Sequence, residues 1–306
     1  MGNCSASHPS DNLPLKRIKT VEVKEYVQYI SFINKYCYII GSEKSLIIYK
    51  DAKENYIYEF DYFITSLFFE PPNYVIVGLS NGESYLMNSR RVERTFKKHD
   101  NSIKCMILLP LKKYKLLTAS LDGNLRKWDL KTGKCEMILS GHKNWILCIN
   151  YILYNNEIFV ISGSSDNTLI LWDINNGDSL WTFTGHENSV TCVSIIPPNK
   201  MKGKILAISG SMDKTLKMWN LSTGECEATM YGHEDIINCL ELIIYNENIY
   251  AISGSSDHTF RIWNLRTCKC EKVQKFNNSI IKISLLPDNP KQFVLLFDNK
   301  VMEIWE

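Results

Sequence analysis

Histidine, serine or threonine, and aspartate recur together along this chain, and they are the side-chain types of a nucleophile, its general base and the carboxylate that orients it. The segments TASLDGNLRKWD, SGSSDNTLILWD, SGSMDKTLKMWN and SGSSDHTFRIWN, ending at Asp129, Asp173, Asn220 and Asn264, hold a hydroxyl and an aspartate at fixed distance. An acyl-transfer enzyme needs one such constellation. Here it comes four times and always ends beside a tryptophan, so a hydrolase is the weaker reading. A metal centre finds no closely spaced His, Cys and carboxylate set, and every Ser-Gly-Ser ends a strand instead of forming a phosphate loop. No cofactor is expected, and the protein is expected not to be an enzyme.

The elements that position these residues follow from the spacing of Trp128, Trp172, Trp219 and Trp263, which lie 44, 47 and 44 residues apart. A period of about 40–50 residues with strand-like content is the signature of a β-propeller. SVTCVSII, ILAISGS, TLKMWN and ECEATMYGH are strand-length apolar or alternating runs bounded by turn residues, which predicts a four-stranded antiparallel meander per repeat. The longer interval before Trp219 falls in the Pro-rich stretch PPNKMKGK, a loop insertion.

Weaker copies extend the period outward. Trp305 ends one, Met87 takes the tryptophan slot in SNGESYLMN, and Tyr49 takes it in GSEKSLIIYK, which brings the count to seven. The last repeat stops after its third strand, and KRIKTVEV, from Lys16 to Val23, is an unassigned strand-like segment. The predicted fold is therefore all-β: a seven-bladed propeller over 16–306, closed by an N-terminal strand that completes the last blade and hides an open edge. Residues 1–15 read as a flexible tail.

Lys plus Arg total 35 against 33 acids, a net charge of +2, which gives no global field for nucleic acid. Of the ten cysteines, Cys105, Cys148, Cys192 and Cys239 share one repeat position and Cys135, Cys226 and Cys270 another. Equivalent positions on separate blades lie too far apart to pair, so small buried thiols are expected. With no signal peptide, the reducing cytoplasm is the expected compartment, where the sequons at Asn3, Asn220 and Asn277 carry no sugar. No run reaches the ~18 apolar residues of a membrane helix.

On these repeats the sequence resembles the WD-repeat family, over about 16–306 and most closely from His99 to Asn264. The resemblance implies a structural tetrad, which maps onto His99, Thr118, Asp122 and Trp128; His142, Ser162, Asp166 and Trp172; His186, Ser209, Asp213 and Trp219; and His233, Ser253, Asp257 and Trp263. The aspartate sits in a tight turn and accepts from imidazole, and the hydroxyl links imidazole to the indole N–H. These are scaffold. The first, second and seventh blades lack the pattern.

Propellers bind partners on the face built by the loop entering each first strand and the turn between second and third strands. On it the alignment places Tyr26, Phe63, Ser102, Trp145, Ser189, Ile236 and Ser279, then Gln28, Thr65, Lys104, Leu147, Thr191, Asn238 and Ile281, and then Ser42, Ser80, Leu121, Ser165, Met212, Ser256 and Asp298. Aromatic and aliphatic side chains dominate, with Lys104 the one cation, and Trp145 stands where other repeats carry Ser102, Ser189 and Ile236. Such a rim suits peptide docking, with Tyr26, Phe63, Lys104, Leu121, Trp145, Leu147, Met212, Ile236, Asn238 and Ile281 as candidate contacts. Without arginine at these positions, phosphopeptide capture is disfavoured.

The chain start MGNCSA resembles the dual-acylation start of membrane-tethered kinases and G protein α subunits, with Gly2 for myristate and Cys4 for palmitate, although Ala6 stands where Ser or Thr is usual. An acyl pair helped by Lys16, Arg17 and Lys19 would anchor to the cytoplasmic face of a membrane. The expected function is a non-enzymatic scaffold for partner proteins or peptides, monomeric within a complex. The alternative is a substrate receptor of a cullin-RING ubiquitin ligase, because Lys131 and Arg266 follow Trp128 and Trp263 by three, as in an adaptor-docking motif. No F-box bundle fits before residue 16. A G protein β subunit would need a long coiled-coil helix at the start, and a ribosome-associated propeller would need a basic surface.

Overall fold

The computed structural model describes residues 16–22, 29–34, 37–50, 53–70, 74–88, 91–111, 114–198, 201, 203–286, 289–299 and 301–306. Among them, strands group into seven four-stranded antiparallel sheets. Six are consecutive meanders, spanning 29–59, 64–97, 103–140, 146–183, 190–230 and 237–275. The seventh joins the three strands of 280–305 to Arg17–Glu22, which pairs antiparallel with Val301–Trp305, matching Thr20 to Glu303 and Val21 to Met302. Lys16 and Glu306 exchange both backbone bonds, at 2.8 and 3.0 Å. The N-terminal strand closes the ring as the sequence predicts.

Each blade is buried on both sides by its neighbours, so inner strands read as nearly unbroken apolar runs, as Leu206–Ser211 does, with every residue buried. Outermost strands alternate, as in Lys269–Lys275. Every blade junction has its own core: Trp172 packs on Leu125 and Leu139 of the third blade, Trp219 on Leu169 and Phe183 of the fourth, and Trp305 on Phe260 of the sixth. Ile40 and Ile47 of the first blade meet Met302 and Val294 of the seventh. No blade buries its core alone, so the array must close to be stable.

Register confirms the slots inferred from spacing. Trp128, Trp172, Trp219 and Trp263 each sit at the point where the pairing of third and fourth strands slips, and Met87 and Tyr49 occupy the same slip in the second and first blades. The turn of the first blade is shorter: Ser42 pairs directly with Ser45, leaving Ser42 buried instead of on the rim.

The cysteines divide. Cys148, Cys192 and Cys239 are buried, and burial pushes their thiols upward, Cys192 and half-covered Cys105 to about 12. The second set does not meet the expectation of burial. It lies on outermost strands opposite the tryptophans, with Cys226 exposed and Cys135 and Cys270 half-buried.

Candidate partner-binding face

Each predicted tetrad is brought together. In the sixth blade the Trp263 indole donates to Ser253 Oγ at 2.8 Å, His233 Nε2 lies 2.7 Å from that oxygen, and His233 Nδ1 lies 2.7 Å from Asp257. The same three bonds, at 2.7–2.9 Å, join the members in the third, fourth and fifth blades. This is the connectivity of a catalytic relay, yet each hydroxyl is fully buried and already accepts from an indole. No substrate carbon can reach it.

Burial pulls His99 and His233 below the ordinary imidazole range, favouring neutral rings. For Asp122, Asp166, Asp213 and Asp257 burial pushes upward, but the imidazole bond and further donors outweigh it and hold each carboxyl well below its usual range. Those donors include the backbone N–H after each histidine and the one two residues past the aspartate, as from Glu234 and Thr259 to Asp257. The aspartate thus pins the loop between blades to the turn between strands.

Ser-Gly-Ser is explained residue by residue. Its first serine is the tetrad hydroxyl. Its last receives the aspartate N–H and donates across to the entering loop, as Ser255 does to Asp235 O at 3.1 Å. The glycine between lets the next blade close in: a Cβ on Gly210 would lie 2.7 Å from both Cys192 Sγ and Ile237 Cγ2. The repeated buried cysteine is the small residue facing that glycine.

The blades without tetrads carry apolar side chains in place of the histidine and the hydroxyl. At the histidine position stand Phe60 and Phe276, and at the hydroxyl position Ile39, Val77 and Leu295, all but half-buried Phe276 fully buried. Phe276 meets Trp305 edge-on at 5.8 Å. The indole N–H left over donates to Glu303 at 3.0 Å, and Glu303 in turn accepts from Arg17 at 2.9 Å. Replacing histidine and hydroxyl together leaves neither without the other, and Glu303 takes up the remaining indole N–H.

The rim positions also come together. The N–H groups of Ser80, Leu121, Ser165, Met212, Ser256 and Asp298 donate to the carbonyls of Phe63, Ser102, Trp145, Ser189, Ile236 and Ser279, at 2.8–3.1 Å. Turn and entering loop therefore form one continuous face. Trp145 is 51% exposed and Phe63 50%, with Lys44 Nζ 5.5 Å from the Phe63 ring centre. Leu121, Met212 and Ile236 are half-buried beside them.

The next set of rim residues occupies bulges. Pairing of first and second strands skips Thr65, Lys104, Leu147, Thr191, Asn238 and Ile281, and a bulge re-aims its side chain. Thr65 donates to Ile103 O at 2.6 Å, and Asn238 to Ile280 O at 2.9 Å, tying one blade to the next. Asn238 is thus committed to the ring itself. Lys104 is exposed, and Leu147 and Ile281 are half-buried. Tyr26, Gly2 and Cys4 lie outside the described residues.

Two exposed aromatics beside this face escaped the sequence reading. Tyr231, 74% exposed, precedes Gly232-His233, and Tyr62, 48% exposed, precedes Phe63. The signal was available for Tyr231, whose counterparts are Lys97, Ser140 and Thr184. Arg126 was also missed: it is buried and pairs with Asp122. Lys131 and Arg266 are exposed, in turns at the opposite end of the strands from Trp145.

A family model described as "WD domain, G-beta repeat" matches residues 90–129, 133–173, 177–220 and 224–264, together more than half of the chain. The chain belongs to the WD-repeat family. Each matched repeat straddles two blades, starting near the outermost strand of one and ending at the tryptophan of the next. The WD40 β-propeller domain of Doa1 superposes with a TM-score of 0.78 at 18% identity, covering 96% of this chain and 97% of that one, a likeness of fold alone. Among curated relatives, nuclear distribution protein PAC1 of Komagataella phaffii is 33% identical over 57 residues, 19% of this chain and 11% of that protein. Human F-box and WD repeat domain containing protein 10B is 32% identical over 74 residues, 23% and 10%. The chain spans about a tenth of the length of each.

Proposed function

We propose that this WD-repeat protein is a non-catalytic scaffold that holds partner proteins or peptides on the Trp145 face. One observation carries the reading: Trp145 and Phe63 are half-exposed on a face whose backbone is fixed by the Ser165 and Ser80 bonds to their own carbonyls. Large rigid anchors on a pre-organised frame bind at low entropic cost. Replacing Trp145 and Met212 together by Glu is expected to abolish partner recovery in an affinity pull-down, and unchanged recovery removes this face.

Membrane tethering through Gly2 and Cys4 is part of the proposal, supported by the MGNC start and by exposed Lys16 and Arg17. Lys16 lies beside Glu306, at the far end of the last blade from Asp298, so a tether entering there would leave the Trp145 face pointing away from the bilayer. Mass spectrometry of the N-terminal peptide from cells tests it; an unmodified Gly2 ends the idea. A ligase-receptor role has support in the exposure of both Lys131 and Arg266 on the opposite face. Loss of adaptor binding on reversing both charges is expected; no adaptor binding by the unaltered chain would remove the role, and binding that survives the reversal would remove the Lys131 and Arg266 contact.

A further inference from the structure

The net charge of +2 is unevenly distributed. In the loops, turns and bulges of the Trp145 face, Glu43, Asp61, Asp100, Glu187, Glu234, Asp235 and Asp298 are exposed, against Lys44, Lys98, Lys104, Lys143 and Lys214. The tetrads add to the imbalance. Each tetrad aspartate is held ionised by its donors, and among the described residues only Asp122 has an arginine, Arg126, paired with it. Among the described residues this face therefore carries more carboxylates than cations, although the whole chain is slightly basic.

The apolar anchors lie among these acids. Trp145, Met212 and Ile236 belong to the fourth, fifth and sixth blades, whose entering loops present Glu187, Glu234 and Asp235 against Lys143, with Lys214 in the turn after Met212 and the carboxylates of Asp166, Asp213 and Asp257 beneath. Opposite charge near an apolar anchor steers and orients a ligand over a Debye length of about 8 Å at physiological salt. A half-exposed indole face adds attraction for a guanidinium or ammonium group.

Resting on the reading that this face binds partners, we propose that its occupant is a cationic peptide segment, with lysine or arginine side chains flanking an aromatic or aliphatic anchor. The apolar anchor meets Trp145, Met212 and Ile236, and the cations meet Glu187, Glu234 and Asp235. An acidic segment meets like charge there, and a neutral one gains only the apolar contact.

The test uses the full chain and three fluorescent peptide pools of equal length and apolar content, with net positive, zero and net negative charge, read by polarisation at low and physiological salt. The positive pool is expected to bind at least ~10-fold tighter than the neutral one, with the advantage shrinking as salt rises. Glu187→Lys, Glu234→Lys and Asp235→Asn combined should erase that preference; asparagine keeps the side-chain oxygen that caps the Ile236 N–H at 2.8 Å. Equal or stronger binding of the neutral or negative pool, or no binding of the positive pool, overturns the inference. Loss of all binding in Trp145→Glu with no effect of the charge variant defeats the charge inference alone. Undiminished binding in Trp145→Glu defeats the face.

Discussion

Replacing Ser253 by alanine separates a hydrogen-bonded unit from a sum of contacts. Ser253 is fully buried, accepts from the Trp263 indole at 2.8 Å and lies 2.7 Å from His233 Nε2. Alanine leaves both nitrogens unpaired where water cannot reach. At ~1–3 kcal/mol for each of the two orphaned groups, the expected loss is about 2–6 kcal/mol, or roughly 3–9 °C in Tm. His233→Phe alone strands the Ser253 hydroxyl and costs a similar amount. In the double variant the serine–imidazole bond has lost both partners, so only the indole and Asp257 are left short. The double variant should therefore be less destabilised than the sum of the singles by about 1–2 kcal/mol, measured as a double-mutant cycle in urea. Strict additivity would refute the relay as a unit, and a loss under about 0.5 kcal/mol in Ser253→Ala would refute the desolvation argument itself.

Deleting residues 1–24 should expose the edge of Val301–Trp305 and strip Glu303 of Arg17, giving an aggregating or much less stable protein; unchanged cooperative unfolding would sink ring closure by this strand. Acid should destabilise in two stages. His99 and His233 titrate lower folded than the ordinary 6.5, so the unfolded chain takes up protons first and stability falls as pH drops below about 6.5. The four tetrad aspartates, held below 3.8, add a second loss from about pH 4 downward, and urea midpoints that stay level from pH 7 to pH 3 would contradict both. Native-state alkylation followed by mass spectrometry should label Cys226 first and leave Cys148, Cys192 and Cys239 untouched until unfolding; early labelling of Cys148 would count against the glycine-facing thiol.

Much of this architecture was legible in the sequence because a repeat tests itself. Seven slots, the loop insertion after Pro197 and the closing strand all followed from one period, and each tetrad member could be found by counting back from a tryptophan. The apolar substitutes in the blades without tetrads were equally countable, at Phe60, Val77, Phe276 and Leu295. They look like ordinary core residues until Trp305 is seen donating to Glu303. Asn238 was placed on the binding rim because alignment gives a position along a strand and not the direction of a bulged side chain. The second cysteine set was misread for a related reason: an alternating strand looks the same whether its outer face meets another blade or water.

The sequence by itself determined the number of blades, the membership of each relay and the order in which the ring closes, since these depend on local spacing and residue type. Only the tertiary structure decided which side chains share a surface. Trp145, Met212 and Ile236 come from three blades, and the carboxylates around them belong to loops some 45 residues apart. Their charges combine because closure of the ring brings every entering loop to one face, and a net charge of +2 for the chain as a whole conceals that face's sign.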